Sequence, residues 1–493
     1  MRSCIEMPDS EGRARPLGAP VGRAQISDGS RRAQRSRPTF SIRTLLLLAA
    51  ALALGGCRPG GADGKPDAVP LFFTAQTHGK LTHCGCVSGQ FGGLARLRSA
   101  VDSGPFVGAL GLDLGDAIEG AEDYHLLKYK QVVRAYADMR YVALNVGHRE
   151  AALDAETLRK VAAVSPVPLV SANLLDRATG RPVLPGWTVV KKNGRSIAFV
   201  GLVDPRGLED TLGAGLAVED MATCLARILP EARRQADALV LLAFTDEAAL
   251  HALARQFYEF SLVLGGRVSQ PAQTLQQEGK VYIYYTANEA KSFGSLELVF
   301  PKKGKPTVGE HAITLLTPQY MEADEVLKLL VAYRREAGQA TLGVDSPGRA
   351  LADQVPGTHA GATYAGSQMC MMCHPGAAKA WQQSGHARAF DTLVAKGAQA
   401  DPSCIGCHTV GFGTPSGYRR EYGAGTLTQV GCESCHGPGS THVAQRQGGG
   451  PVTTHFRPLG AGDCLKCHQG EFSRPFEWDK FWPAIEHWKE PKS

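Results

Sequence analysis

Cys370-Met-Met-Cys373-His374, Cys404-Ile-Gly-Cys407-His408, Cys432-Glu-Ser-Cys435-His436 and Cys464-Leu-Lys-Cys467-His468 fall within 99 residues near the C-terminal end of a 493-residue chain. Two cysteines three apart can form thioethers to the two vinyl groups of one haem, and the adjacent histidine then lies under the iron as its proximal ligand. Zinc knuckles and redox C-x-x-C sites are the rival readings, but neither chemistry requires a histidine after every second cysteine. The repetition predicts four covalent haems c, with His374, His408, His436 and His468 as proximal ligands. Residues 370–493 number 124, or 31 per haem, and hold little periodic apolar sequence. The macrocycles themselves must then supply the core of this region.

The sixth position of each iron separates electron transfer from chemistry. Non-motif histidines in the region are His386, in W-Q-Q-S-G-H-A, His442, in C-H-G-P-G-S-T-H, His455, and His487, in the aromatic tail F-W-P-A-I-E-H-W. His386, His442 and His487 read as distal ligands, with His455 the alternative for one of them. Three such ligands for four haems leave one iron five-coordinate. His386 lies twelve residues after His374, in a helix expected over Ala377–Ala389, and should reach a neighbouring haem, not its own.

The run of C-x-x-C-H, W-x-x-S-x-H-A, C-I-G-C-H-T-V-G-F, V-G-C-E-S-C-H-G-P-G and a downstream histidine resembles the tetrahaem cytochrome c family that includes the electron acceptor of hydroxylamine oxidoreductase. The resemblance covers about residues 366–490. It implies three bis-histidine haems and a second haem, that of His408, without a protein distal ligand. It also implies that His442 serves the first haem, His386 the fourth and His487 (or His455) the third.

Working toward the N-terminus, residues 339–365 are a Gly-, Ala-, Thr- and Pro-rich linker without periodicity. Before it, residues 321–338 predict a docking helix, with Val326, Leu329, Leu330 and Tyr333 on one face. From residue 69 to 320 short apolar runs alternate with amphipathic stretches. The runs Leu71–Ala75, Val107–Leu114, Tyr141–Val146, Leu169–Ala172, Ile197–Leu202, Ala238–Phe244, Leu262–Leu264 and Val281–Thr286 read as buried strands. Helical patterns such as Ala222–Ala236 and Glu247–Phe257 lie between them. The expected fold class is a layered α/β domain with much parallel pairing, followed by a mostly α-helical and irregular multihaem domain over 366–493.

Residues 71–300 resemble the calcineurin-like metallophosphoesterase domain of periplasmic 5′-nucleotidases. The resemblance rests on T-A-Q-T-H-G, G-G-L-A-R (Gly92 to Arg96), L-G-D (Leu114 to Asp116), S-A-N-L (Ser171 to Leu174) and V-G-L (Val200 to Leu202). That family grips two metals, but most of the ligands are replaced here. Gln76 stands for the first Asp, and the G-N-H-E position reads Gly147-His148-Arg149-Glu150. The later His region reads A-F-T-D-E (Ala243 to Glu247), and the last motif reads Gly265-Gly266-Arg267-Val268-Ser269. Two-metal hydrolysis needs both ions clamped, so phosphoesterase activity is not expected. Beside this site, His78, His83, Cys84 and Cys86 could hold a soft metal or act as a thiol pair, or could be buried thiols with surface imidazoles. Cys224 reads as a core thiol.

At the N-terminus, Leu45 to Leu54 is an apolar run of signal-peptide length. Its end, Leu54-Gly55-Gly56-Cys57, resembles the bacterial lipobox. That resemblance implies a signal over 1–56, lipidation at Cys57 and a tether over 57–68, in an exported lipoprotein of the periplasm or outer membrane; a plain secretory signal is the alternative. The net charge of +6 is concentrated there, since residues 1–56 hold nine Arg against Glu6, Asp9, Glu11 and Asp28. The remainder, 44 basic against 43 acidic residues, has no surplus to neutralise phosphates, which argues against nucleic acid as a partner. Three functions remain: relay of electrons between redox partner proteins, reduction of a small nitrogen-oxide-type ligand at an open haem, and ligand binding by the N-terminal domain.

Overall fold

All seven residues of Ala238–Phe244 are buried, as expected of a central strand in a sheet covered on both faces. The computed structural model describes residues 67–83, 90–287, 289–340, 342, 361–420, 425–469 and 473–487. Cys57 and the signal, most of the tether, Cys84, Cys86 and most of the linker lie outside the described residues. The strands of the N-terminal half are β1 (Asp67–Thr74), β2 (Leu110–Asp113), β3 (Tyr141–Asn145), β4 (Leu169–Val170), β5 (Leu174–Asp176), β6 (Trp187–Lys192) and β7 (Arg195–Val203). They continue as β8 (Leu216–Val218), β9 (Ala238–Phe244), β10 (Leu262–Gly265), β11 (Gln276–Glu278), β12 (Val281–Tyr285), β13 (Ser292–Phe300) and β14 (Thr307–Leu315).

These strands form two six-stranded sheets, ordered β14-β13-β1-β2-β3-β4 and β11-β12-β10-β9-β7-β6, and a small β5-β8 pair. The interior pairings β1·β2, β2·β3, β7·β9, β9·β10 and β10·β12 are parallel. The additions β13, β14, β6 and β11 are antiparallel. Of the crossover helices, α1 (Leu94–Val101), α2 (Asp123–Asp138), α3 (His148–Ala151) and α4 (Ala155–Val164) belong to the first sheet. The second sheet is crossed by α5 (Met221–Gln235) and α6 (Glu247–Gln256). Alternation along β1 divides its side chains between two cores. Val69, Leu71 and Phe73 join Phe199, Leu241 and Val263 between the sheets. Phe72 instead meets Leu97, Tyr136 and Tyr141 on the helix side. The result is a helix-sheet-sheet-helix stack, the layered α/β fold expected.

Helix α7 (Asp324–Gln339) buries Val326, Tyr333 and Ala337. From it, the Tyr333 hydroxyl donates to Asp401 Oδ1 at 2.9 Å and Arg334 Nη1 donates to the Lys396 carbonyl at 2.8 Å. Arg420 returns the connection by donating to the Ala340 carbonyl at 3.0 Å. Helix α7 and the residue after it are therefore hydrogen-bonded to the C-terminal region. Asp401 is buried and caps the helix Pro402–His408 by accepting from Ser403 N. Asp401→Ala should strip the cap and orphan the Tyr333 hydroxyl, costing on the order of 2 kcal/mol. A lowered Tm in scanning calorimetry, with Tyr333→Phe affected less, would register it.

The C-terminal region has short helices and, among the described residues, one small apolar cluster of its own: Phe390, Leu393, Ala398, Ile405 and Tyr418. The helix expected over Ala377–Ala389 is interrupted. It runs over Pro375–Gln383, breaks where the Ser384 hydroxyl donates to the Trp381 carbonyl, and resumes at Ala389–Ala395 after a 3-10 turn over Gly385–Arg388. Ser384-Gly385 is a poor helix-continuing pair, which accounts for the break.

Candidate haem-binding site

Each C-x-x-C-H lies on or at the end of a short helical turn. The His374 and His468 amides donate to the Cys370 and Cys464 carbonyls at 3.0 and 2.8 Å. In a helical turn, residues at i, i+3 and i+4 share one face, so both thiols and the imidazole of a motif point the same way. Three motif histidines face a second imidazole. His374 and His442 have ring centres 6.4 Å apart, His468 and His386 6.0 Å, and His436 and His487 5.9 Å. A metal–nitrogen bond of about 2 Å on each side, plus about 1 Å from each nitrogen to its ring centre, spans about 6 Å. The spacing therefore fits one iron between each pair. His455 is exposed.

Burial pushes the His436 imidazole down to about 4 and shifts His386, His442 and His468 in the same direction. The neutral ring, with a free lone pair, is the form that binds metal. Carbonyl oxygens can only accept, so His487 donates Nδ1–H to Ile485 at 2.8 Å and His408 donates Nδ1–H to Ala389 at 2.7 Å. Both are left with Nε2 as the ligating atom. Among the described residues, no imidazole faces His408 as the partners face the other three. His408 instead lines a cavity of about 1480 Å³ together with Cys404, Cys407, Cys464, Cys467, His386 and His468.

Thiols of different motifs come together. Cys370 lies beside Cys432, and Cys407 beside Cys467, close enough to shift each other's titration, while Cys435 lies in the field of Cys464. First and third motifs are thus neighbours, as are second and fourth, and third and fourth. Glu433, within the third C-x-x-C, is buried and accepts from the Ala365, Gly366 and Gly439 amides at 2.7–2.8 Å. It ties the third motif to the chain entering the first. A carboxylate inside C-x-x-C was the available signal.

At the C-terminal ends of the N-terminal strands, Gln76, His78 and Asp116 adopt positive φ of 52, 46 and 59°. His78 lies 3.7 Å from Asp116 and 3.8 Å from Glu289. Asp113, which burial pushes up to about 7, accepts from Thr74 and Tyr136. Glu150, buried, accepts from the Asp116, Ile118 and Gly147 amides. His148 Nε2 is 2.9 Å from the Asp204 carbonyl oxygen. The Asp204 carboxylate accepts from Arg206, Thr245 and Arg267. Burial alone would raise its pKa, but the hydrogen bonds from Arg206 and Thr245 outweigh burial and hold it low. Arg267 thus brings a guanidinium to Asp204. Among the described residues, no group of three or more His, Cys, Asp and Glu could hold a metal ion. His83 is placed apart from His78, with Nδ1 2.9 Å from Glu322 Oε1.

These features give a layered α/β domain joined to a region that carries four haem-attachment motifs. Residues 369–437 match the family model described as cytochrome c554 and c-prime. Cytochrome c-554 of Nitrosomonas europaea is 39% identical over 128 residues, which are 23% of this chain and 51% of that protein. The 2′,3′-cyclic-nucleotide 2′-phosphodiesterase/3′-nucleotidase of Yersinia enterocolitica is 24% identical over 218 residues, 40% of this chain and 30% of that protein. The 5′-nucleotidase precursor of Thermus thermophilus superposes with a TM-score of 0.48 at 21% identity, over 55% of this chain and 59% of that one. The chain spans about half the length of the cytochrome and under a third of the phosphodiesterase. The C-terminal region resembles the cytochrome c554 family and the N-terminal region the 5′-nucleotidase type of phosphoesterase. The first likeness implies covalently bound haem c.

Proposed function

We propose that the chain is an exported, lipid-anchored cytochrome that relays electrons through four haems c. The observation that carries this reading is the set of three imidazole pairs spaced for one iron each, beside motifs whose thiols adjoin. Haem iron cycles between ferric and ferrous states, and two fixed imidazoles keep the rearrangement between them small. In each pair the chain holds one imidazole on the thioether-bearing turn and the other on a separate element: His442 on Ser440–Gln447, His386 on the 3-10 turn, His487 in the tail. The thiol contacts support a sequence of carriers in the order first, third, fourth, second.

The second haem, held by Cys404, Cys407 and His408, would have an open position. A second reading follows, in which this haem binds a small ligand and the other three supply it with electrons. The N-terminal domain serves as a scaffold that docks the cytochrome region through α7. Cys57 would carry the diacylglyceryl group that ties the chain to a membrane. Among the described residues, no helix is long and apolar enough to cross one.

Mass spectrometry of the denatured mature protein tests the reading. The expected mass is that of the chain from Cys57 with four macrocycles and the lipid; two macrocycles, or haem that extracts into acid solvent, would overturn it. A companion assay addresses the remnant site: with saturating divalent metal, the protein should hydrolyse neither nucleotides nor simple phosphate esters. Turnover abolished by EDTA would show that other ligands hold the ions.

A further inference from the structure

The wall of the cavity at His408 is not made by the cytochrome region alone. Thr82, His83, Glu322 and Arg334, all from the N-terminal half, line the same cavity as Cys404, Cys407 and His408. His83 follows β1 and Glu322 precedes α7, 239 positions apart in sequence. One carboxylate oxygen of Glu322, Oε1, accepts from both the His83 backbone amide, at 3.3 Å, and Nδ1, at 2.9 Å. A carboxylate facing Nδ1 holds the proton on that nitrogen, which leaves Nε2 as a lone-pair acceptor. Both side chains are about a quarter exposed, so the pair is open enough to meet a ligand. None of the three imidazole pairs uses it.

We propose that His83, oriented by Glu322, is the N-terminal domain's contribution to the second haem site. There Nε2 accepts a hydrogen bond from a small nitrogen- or oxygen-centred ligand that retains an N–H or O–H. This rests on the reading of the second haem as open, and deepens it: the site lies between the two domains, and it discriminates by the presence of a donor. Glu322 is a positioning residue in this arrangement, acting through the tautomer of His83. A ligand without a donor gains nothing from Nε2 and must still desolvate it.

The test uses the full-length haem-loaded protein and two probes of equal size, 4-methylimidazole, which keeps an N–H when bound, and 1-methylimidazole, which has none. Binding is followed by loss of the high-spin ferric signal. The wild type should favour 4-methylimidazole by about fivefold, the worth of one ordinary hydrogen bond. His83→Leu should abolish that preference, and Glu322→Gln should reduce it, with the three low-spin signals retained as a check on folding. An unchanged preference in His83→Leu, or an equal loss of affinity for both probes, would overturn the proposal while leaving an open haem in place. A wild type with four low-spin irons that binds neither probe would overturn the open-site reading, and this proposal with it.

Discussion

Protein produced without covalent haem attachment should keep a protected N-terminal domain and lose all protection over residues 361–487. The two halves differ in what they bury. Between and outside its sheets the N-terminal half packs two large apolar clusters, whereas among the described residues the C-terminal region's own cluster amounts to Phe390, Leu393, Ala398, Ile405 and Tyr418. So small a cluster cannot offset the ordering of more than a hundred residues at about 1–2 kcal/mol each for the backbone alone. The macrocycles must provide the missing apolar area. Hydrogen exchange should show the β9 amides unaffected and the Pro402–His408 helix exchanging at the rate of an unfolded chain. Slow exchange there in the haem-free protein would mean that the region has a core independent of its cofactors.

Replacing His386 by alanine should convert one low-spin iron to high-spin and leave every thioether attachment intact. His386 faces His468 with ring centres 6.0 Å apart, and the substitution empties one side of that pair only. His408→Ala should act differently, because His408 has no facing imidazole among the described residues: the native high-spin signal should be altered while the three low-spin signals persist, with no low-spin iron converted. Electron paramagnetic resonance of the oxidised proteins distinguishes the outcomes. An unchanged spin count in His386→Ala would refute its role as a distal ligand.

Much of this was legible wherever chemistry or burial is local. The run Ala238–Phe244 is a strand with the boundaries its apolar residues predict, and α7 overlaps its expected span with only its first turn starting later. The C-x-x-C-H turns are local by nature. Strand β14 was not legible, because its half-exposed residues mix polar and apolar types and leave no apolar run to read. The break at Ser384-Gly385 was also missed, since the apolar spacing continues through it. Contacts between distant segments, such as Tyr333 with Asp401, His83 with Glu322 and Glu433 with the amides before the first motif, carry no periodic signature. The imidazole pairing was open to sequence reasoning only through family resemblance, because spacing alone does not say which turn faces which.

The meeting of thiols from different motifs has a consequence for how the protein is made. Before haem is attached, Cys370 lies beside Cys432 and Cys407 beside Cys467, and a disulfide at either place would occupy one attachment point on two haems at once. Folding ahead of cofactor loading is therefore the hazardous order of events for this chain. Under the proposed loading of four haems, biogenesis depends on keeping eight thiols reduced until the thioethers have claimed them, and on a nascent C-terminal region too poor in core to bring those thiols together early.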